Sequence, residues 1–400
     1  MSIYRNLGVE PIINACGTVT RLGGAPMSNA VLTAFRDAAK EWVPLEQLQA
    51  AACRKIAEVT GAEAGLVTAG SAAGLTLGTA AILAGQDLGR MEKLPHSDGF
   101  PDEILIAREQ RSGYDHAIRA AGARLVEVGF NEITSNAGVR RAEVWEYEAA
   151  ITPQTAGIAY VLGPGACPPL EDLVTLAHSY ELPVIVDAAG ELPPRENLKR
   201  IPATGADLVS FSGGKSIRGP QSTGVLCGRR ELISSAALQM LDMDDHLELW
   251  DPPAELIDRS QLKGIPRHGI GRALKVSKEE IAALLTALDL FASGAYDEEL
   301  PRMRSNLDAI VEEIQGTHST CRIVEPATSD RWATLEIQLD EQALGRTAFD
   351  VCLSLRNGSP PVYVGHGQLR DGVFVINPLC LDGSSAATLA RRLREELSRS

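Results

Sequence analysis

Hydrophobic and polar positions alternate along the chain in a pattern that predicts strands followed by helices. Short, nearly continuous apolar runs such as "ILIAR", "TAGIAYVL", "PVIVDAAG" and "DLVSFSG" are typical of strands that are buried on both faces. Between them lie segments with apolar residues at helical spacing, for example "LEQLQAAACRKIAEV" and "LEDLVTLAHSYE". This alternation predicts an α/β fold with a large, mostly parallel sheet covered by helices.

The pattern changes along the chain, and the changes predict three parts. Residues 1–44 carry many turn residues, so we expect an N-terminal arm. Residues 45–265 hold the alternating strands and helices, which predicts a large α/β domain. Residues 266–400 combine helical segments with strand-like runs such as "RWATLEIQL" and "GVFVINP", which predicts a smaller α+β domain.

Composition narrows the class of protein. A hydrophobic fraction of 44% over 400 residues is enough for a sizeable core. The net charge of −14 disfavours a partner with a phosphate backbone, so we expect no nucleic-acid partner. Seven scattered cysteines without a C-x-x-C pair predict reduced thiols and a cytoplasmic protein. There is no signal pattern and no apolar run as long as a membrane span, so no membrane partner is expected.

Residues that could bind a ligand or take part in catalysis lie at or after the ends of three of the predicted strands. The sequence "TAGSAAG", which begins at Thr68, is compatible with two structures. It is either a turn whose backbone N–H groups bind a phosphate or, equally, a tight turn of small residues. Asp187 ends "PVIVD", where it either opposes a bound cationic nitrogen or caps the next turn. Lys215 follows "DLVSFSGG", where it is either a Schiff-base amine or a solvated loop lysine.

Taken together, these three features meet the requirements of pyridoxal 5'-phosphate (PLP). Its phosphate needs N–H donors, its pyridine nitrogen needs an anion, and its aldehyde needs an amine. Active groups of parallel sheets gather at the carboxyl ends of the strands, so the three features belong at one edge of the predicted sheet.

Four segments make the sequence resemble the bacterial selenocysteine synthase (L-seryl-tRNA(Sec) selenium transferase) family and its relatives, which include D-glucosaminate-6-phosphate ammonia-lyase. They are "INACGTVTRLGGAPMS", "GSAAGLTLGTAAILAG", "GADLVSFSGGKSIRGPQSTGVLCGR" and "GIGRALKVSKEEIAALLTAL". The resemblance runs from about Ile12 to Phe291. It implies a fold-type I PLP-dependent enzyme of the aspartate aminotransferase superfamily, with a large sheet domain and a smaller α+β domain.

The resemblance also implies which residues hold the cofactor. It puts the Schiff base on Lys215 and the partner of the pyridinium nitrogen on Asp187. The residues that would contact the phosphate are Gly70, Ser71, Ala72 and Ser212.

Two further parts of the cofactor site are implied in the same way. A residue of "EQRSGYDHAIRAAG" would stack on the ring, and both His116 and Tyr114 are candidates. The segment "RGPQSTG" resembles one that reaches the phosphate of a neighbouring subunit, with Gly219, Pro220 and Gln221. This implies a homodimer or a higher homo-oligomer.

The substrate acid would need a planar guanidinium. Arg21, Arg267 and Arg272 lie in segments that resemble the lining of the family's active site. Arg272, between glycine-rich turns in "HGIGRALK", is the preferred candidate, followed by Arg21. No metal site is predicted.

The expected reaction follows from where this sequence differs from selenocysteine synthase. That enzyme carries an additional N-terminal domain that holds tRNA, whereas this acidic chain enters the cofactor-domain pattern at Ile12. We therefore expect a small-molecule substrate rather than selenium transfer on tRNA. The expected activity is that of an ammonia-lyase or dehydratase: α,β-elimination from a β-hydroxy amino acid, such as D-glucosaminate or its 6-phosphate, to a 2-oxo acid and ammonia. A PLP-dependent racemase or aldolase is the alternative, and a non-catalytic PLP-binding oligomer is the alternative of another class.

Overall fold

The computed structural model of the chain describes residues 2–130 and 141–398. The strands, in chain order, are β1 (Ile13–Ala15), β2 (Ala64–Thr68), β3 (Glu103–Ala107), β4 (Arg124–Val128), β5 (Thr155–Val161), β6 (Val184–Asp187), β7 (Leu208–Ser212), β8 (Gly224–Gly228), β9 (Ser319–Val324), β10 (Thr334–Leu339), β11 (Val362–Val364) and β12 (Val373–Ile376). The α-helices are α1 (Ile3–Asn6), α2 (Asn29–Ala38), α3 (Leu45–Thr60), α4 (Gly70–Ala84), α5 (Leu88–Lys93), α6 (Asp115–Ala120), α7 (Val144–Ala150), α8 (Leu170–Ser179), α9 (Asn197–Arg200), α10 (Arg230–Met240), α11 (Lys278–Ala292), α12 (Leu300–Glu313), α13 (Glu341–Leu344), α14 (Ala348–Asn357) and α15 (Gly383–Leu397).

The chain divides into two compact units. The first, called the sheet unit here, is Met27–Ala292. The second, called the terminal unit, joins the described residues up to Pro26 to the chain from Ser293 onward. The domain boundaries predicted from the sequence lie after residues 44 and 265. They differ from the bounds of these two units, and they remain predictions.

The sheet unit is built on a seven-stranded sheet with the order β2-β8-β7-β6-β5-β3-β4. All of its strands run parallel except β8, which pairs antiparallel with both β2 and β7. The residues of β2, β3 and β8 are all buried, as their continuous apolar runs require. The predicted α/β class with a mostly parallel sheet is confirmed.

Helix α4 shows why small residues dominate the segment after β2. The helix is buried along nearly its whole length, so it has no polar face. A Cβ atom on Gly78 would lie 2.6 Å from the Cδ1 atom of Ile185 on β6, so a larger residue would force that side chain to shift. Glycine therefore lets the helix axis approach the sheet. This close packing keeps the start of α4 at the carboxyl edge of the strands.

The terminal unit combines a three-stranded antiparallel sheet, in the order β12-β10-β9, with the parallel pair β1 and β11. Helices α12, α14 and α15 supply the apolar side chains that pack against these strands. This is the α+β architecture expected for the second part of the fold, and its parallel pair recruits a strand from the beginning of the chain. Within the described residues, no helix is both long enough and apolar enough to cross a membrane.

Candidate active site

The three motifs singled out in the sequence converge at the carboxyl edge of the central sheet. Strands β2, β6 and β7 run parallel, so they all end at this edge. Across the ladder, Thr68 and Ser212 both pair with Gly224 of β8, and Asp187 pairs with Ser210 of β7. Such an edge is the usual place for a ligand in an α/β sheet.

The turn between β2 and α4 presents an uncapped helix start. Gly70 has φ +81°, a conformation that favours glycine. Ala69 precedes the helix and has no side chain that can cap it, so the N–H groups of the first turn are available to an anion. Thr68 donates from Oγ1 to the Gly70 carbonyl at 2.9 Å. Ser71 in the first helical turn is half-buried.

Two neighbours hold this turn against the sheet. Gly224 of β8 lies directly against it, because a Cβ atom there would be 2.6 Å from the Ser71 nitrogen. Ser210 of β7 donates from Oγ to the Ser71 carbonyl at 3.0 Å. Neither residue was singled out in the sequence. A buried hydroxyl inside the apolar run "DLVSFS" is the signal that could have identified Ser210.

Lys215 lies in a loop whose backbone is held by its own hydrogen bonds. Gly213 donates to the Thr223 carbonyl and Gly219 donates to the Gly213 carbonyl, each at 2.9 Å. Next to Lys215, the Ser216 hydroxyl donates to the Leu192 carbonyl at 2.7 Å. Lys215 is half-buried, whereas a solvated loop lysine would be exposed. The loop therefore fixes the backbone from which the amine projects.

The carboxyl group of Asp187 is held in an unfavourable place for a lone negative charge. Burial raises its pKa, and the N–H group of Ala189, which donates at 3.0 Å, and the positive charge of Lys215 oppose that rise. The charge of Lys215 is thus near enough to act on the carboxyl group of Asp187. A buried carboxylate with a raised pKa is suited to a cationic partner.

A small cavity lies beside Asp187. Apolar side chains from α4, α6, β3, β5 and β6 line it, among them Leu75, Ile106, Ile118, Val161 and Ile185. Tyr114 also lines this cavity, although much of its side chain is exposed. His116 is exposed, and its Nδ1 atom lies 3.1 Å from the guanidinium of Arg119. The structure therefore brings Tyr114 to the cavity.

The segment after Lys215 reaches the surface. Gly219 and Pro220 are buried and Gln221 is exposed. The neighbouring Ser222 hydroxyl donates to the carboxylate of Glu280. The expected contact of this segment with another subunit stays a prediction.

The candidate substrate arginines have different surroundings. Arg272 donates to Asp242 at 2.9 Å in the sheet unit, an acidic partner that was not predicted. Arg267 is exposed and lies 3.9 Å from Glu92. Arg21 belongs to the terminal unit, where it is exposed.

The residues of this edge fit PLP. The uncapped helix start offers N–H donors, the half-buried acid with its raised pKa favours a cationic ring nitrogen, and a half-buried amine acts on that acid electrostatically. With the sheet order and its single reversed strand, they define a fold-type I PLP-dependent enzyme. The chain belongs to the L-seryl-tRNA selenium transferase family, whose sequence model matches residues 12–244.

Similar proteins include enzymes with different named activities. The chain is 30% identical to a D-glucosaminate-6-phosphate ammonia lyase of Salmonella typhimurium (strain 14028s / SGSC 2262), over 98% of this chain and 97% of that protein. It is 31% identical to a 5'-C-glycyluridine monooxygenase-decarboxylase of Streptomyces sp, over 98% of this chain and 92% of that protein. A solved structure of D-glucosaminate-6-phosphate ammonia-lyase superposes with a TM-score of 0.79, at 28% identity, and covers 99% of this chain and 98% of its own.

Proposed function

We propose that the protein is an ammonia-lyase, or dehydratase, that acts by α,β-elimination on a small β-hydroxy amino acid derived from a sugar. D-glucosaminate and its 6-phosphate are the proposed substrates, and a 2-oxo acid and ammonia are the products. The observation that carries the proposal is that half-buried Lys215 acts electrostatically on the half-buried carboxyl group of Asp187, at the sheet edge where an uncapped helix begins. The similarity to an ammonia lyase over 98% of the chain supports this choice of reaction.

Residues of the sheet unit would hold each part of the cofactor. Asp187 would keep the pyridine nitrogen protonated, and Lys215 would carry the aldehyde. Tyr114, with His116 as the other candidate, would cover one face of the ring. The phosphate would be held by Gly70, Ser71, Ala72 and Ser212. Gly219 and Gln221 would contact the phosphate bound to a second subunit.

Bound PLP supplies an electron sink for the bond between Cα and its hydrogen. Lys215 then acts as the general base, and its Nζ atom takes the Cα proton. The β-hydroxyl group leaves as water, and hydrolysis of the remaining C–N bond releases ammonia and the 2-oxo acid. Arg272 is the preferred candidate for binding the substrate carboxylate, and Arg21 is the other candidate.

The first test is Lys215→Ala. We expect this variant to lose the visible absorbance of the purified holoenzyme and to release no ammonia from D- or L-β-hydroxy amino acids, since both depend on the amine. Lys263→Ala, which removes an exposed lysine of the same unit, is the matched control and should keep both properties. A Lys215→Ala enzyme that still turned over substrate would rule the proposal out.

A second candidate is oxidative decarboxylation of an amino acid, favoured by the 31% identity to a monooxygenase-decarboxylase. The products separate it from elimination. Ammonia and a 2-oxo acid without oxygen consumption support the lyase, whereas oxygen uptake with release of carbon dioxide supports the second candidate. Inverted configuration alone would indicate a racemase, and cleavage to glycine or an aldehyde would indicate an aldolase.

We further propose that the enzyme works as a homodimer or higher homo-oligomer without nucleic acid. The exposed Gln221 and the neighbouring Ser222 support the first point, because they offer a surface next to the cofactor loop. The net charge of −14 supports the second.

A further inference from the structure

Two arginines from distant parts of the chain converge on one tyrosine in the terminal unit. The Cζ atom of Arg21 lies 5.6 Å from the centre of the Tyr363 ring, and that of Arg356 lies 5.0 Å from it. The ring attracts each guanidinium by a cation–π interaction. Two guanidinium groups thus lie within 6 Å of the centre of one ring.

The strand pair β1 and β11 sets this arrangement. Asn14 pairs with Tyr363, while the residues on either side of each are buried in the core. Because side chains alternate along a strand, Tyr363 projects from the opposite face. Arg356 comes from the last turn of α14 and Arg21 from the short 3-10 turn Thr20–Leu22. Both arginines are therefore held on ordered backbone.

No acidic side chain neutralises this pair. Among residues 2–130 and 141–398, neither Arg21 nor Arg356 forms an ion pair. The Nε atom of Arg356 is also buried without a hydrogen-bond partner in the described chain. Leaving a buried charged donor unsatisfied is costly. Arg356 therefore keeps a buried donor that an added acceptor could satisfy.

The nearby cysteines do not supply the negative charge. Burial raises the pKa of Cys16 to about 11, although the charges of Arg356 and Arg21 act in the opposite direction. Burial likewise raises the pKa of Cys352, again against the effect of Arg356. Both thiols are therefore neutral near pH 7.

The simplest alternative is that Arg356 only stabilises the end of its own helix. A cation in the last turn is favourable there, and its N–H groups can bind the last carbonyls. That role does not require Arg21, and it leaves the buried Nε atom without an acceptor. The alternative thus explains one arginine and not the pair.

We propose that Arg21 and Arg356 form a binding site for an oxyanion, either a carboxylate or a phosphate group, beside Tyr363. Planar guanidinium groups bind both kinds of oxyanion through paired N–H donors. Binding would neutralise the two charges and satisfy the buried donor. The existence of this site does not depend on the reaction. Only the idea that the oxyanion is part of the substrate rests on the proposed function.

Inorganic phosphate is the probe for the test. It is titrated calorimetrically at low ionic strength into holoenzyme, in which PLP already fills the cofactor site. We expect Arg356→Gln and Arg21→Gln each to weaken binding by about tenfold or more, because each removes a charge-assisted donor pair. Arg356→Lys keeps the charge and should recover part of the affinity, which guards against a folding defect. Arg370→Gln, at an exposed arginine of the same unit, is the matched control.

Kinetics identify the source of the oxyanion. If it is the substrate carboxylate, Arg356→Gln raises KM for D-glucosaminate and its 6-phosphate alike by about tenfold. If it is the substrate phosphate, only the phosphorylated compound is affected. If it is a free ion, both KM values are unchanged and only phosphate binding is lost.

Unchanged phosphate affinity together with unchanged KM for both compounds in Arg356→Gln would overturn the proposed site. If the enzyme turns over neither compound, the proposed function fails instead, and the phosphate titration alone decides on the site.

Discussion

Two aspartates of the sheet unit, one buried and one half-buried, have opposite surroundings. Asp207 is almost fully buried, and it accepts hydrogen bonds from Val184 at 2.7 Å and Arg229 at 2.9 Å, with His178 at 3.0 Å. Asp187 accepts one backbone N–H group, and burial raises its pKa. The first carboxylate is satisfied by the protein itself. A carboxyl group with a raised pKa is suited to a cationic partner, which is why we propose that Asp187 faces the cofactor.

The difference predicts opposite effects of two matched substitutions. The pKa of Asp187 is raised in the folded protein. Its contribution to stability is therefore complete below the unfolded pKa and is lost as the pH rises through the folded pKa. Ionised Asp187 is thus unfavourable for the folded state at pH 7 without a cofactor. Asp187→Asn should therefore leave the unfolding free energy of cofactor-free protein unchanged or raise it, while lowering turnover about 10²–10³-fold.

Asp207→Asn should instead lower the unfolding free energy by about 2–4 kcal/mol, since it breaks a buried ionic network. Urea unfolding and ammonia release measure both variants. A cofactor-free Asp187→Asn protein destabilised as much as Asp207→Asn would contradict the distinction.

The glycine-rich turn before α4 works as one element with the strand beside it. Its backbone lies against β8 at Gly224, where a Cβ atom would be 2.6 Å from the Ser71 nitrogen. Main-chain atoms on both sides cannot move aside as the end of a side chain could. The fit of the turn thus depends on a residue far away in the sequence.

We expect Gly224→Ala to displace this turn. The variant should bind PLP about tenfold or more weakly, because displaced N–H groups no longer converge on the phosphate. Overpacking should also lower the unfolding free energy by about 1–3 kcal/mol. PLP titration followed by absorbance, with urea unfolding, measures both effects. Gly264→Ala, where a Cβ atom meets nothing within 4 Å, should change neither. Wild-type PLP affinity in Gly224→Ala would show that the turn is not part of the site.

Strands differ in how far the sequence reveals them. The buried strands of the sheet unit are apolar along their length, and this made them predictable. Strand β9, Ser319–Val324, was missed because most of its residues are exposed and its sequence, "STCRIV", is mixed. Strand β1, Ile13–Ala15, is too short to give a periodic signal and forms only by pairing with β11.

Buried thiols and phenols make the whole molecule sensitive to alkali. Burial raises the pKa of Cys16 to about 11 and those of Cys227 and Tyr160 to about 12, from ordinary values of 9.0 for cysteine and 10.0 for tyrosine. These groups ionise more readily in the unfolded chain. Their stabilisation is complete below the unfolded pKa values and is lost as the pH rises toward the folded values.

We therefore expect Tm to fall progressively above about pH 9, with each such group contributing at most about 1.4 kcal/mol per pH unit. Calorimetric scans from pH 7 to pH 11 measure the decline. Cys227→Ala should have a lower Tm at pH 7 because of the cavity, but a shallower decline above pH 9. A Tm that stayed constant to pH 11 would contradict the expectation.

The sequence by itself determined the buried strands of the sheet unit and the helices between them, the class of fold, and two polar residues at or after the ends of buried strands, Asp187 and Lys215. It could do so because burial demands apolar runs, and a polar residue at the end of such a run is conspicuous. The resemblance added the cofactor and the family, which the comparisons bear out.

Only the tertiary structure decided which distant residues meet. It brought Ser210 and Gly224 to the turn between β2 and α4, put Tyr114 on the cavity beside Asp187, and gathered Arg21 and Arg356 around Tyr363. Each of these contacts depends on strand register and on the direction of a side chain. Both are set when elements far apart in the chain pack together, and neither leaves a local pattern in the sequence.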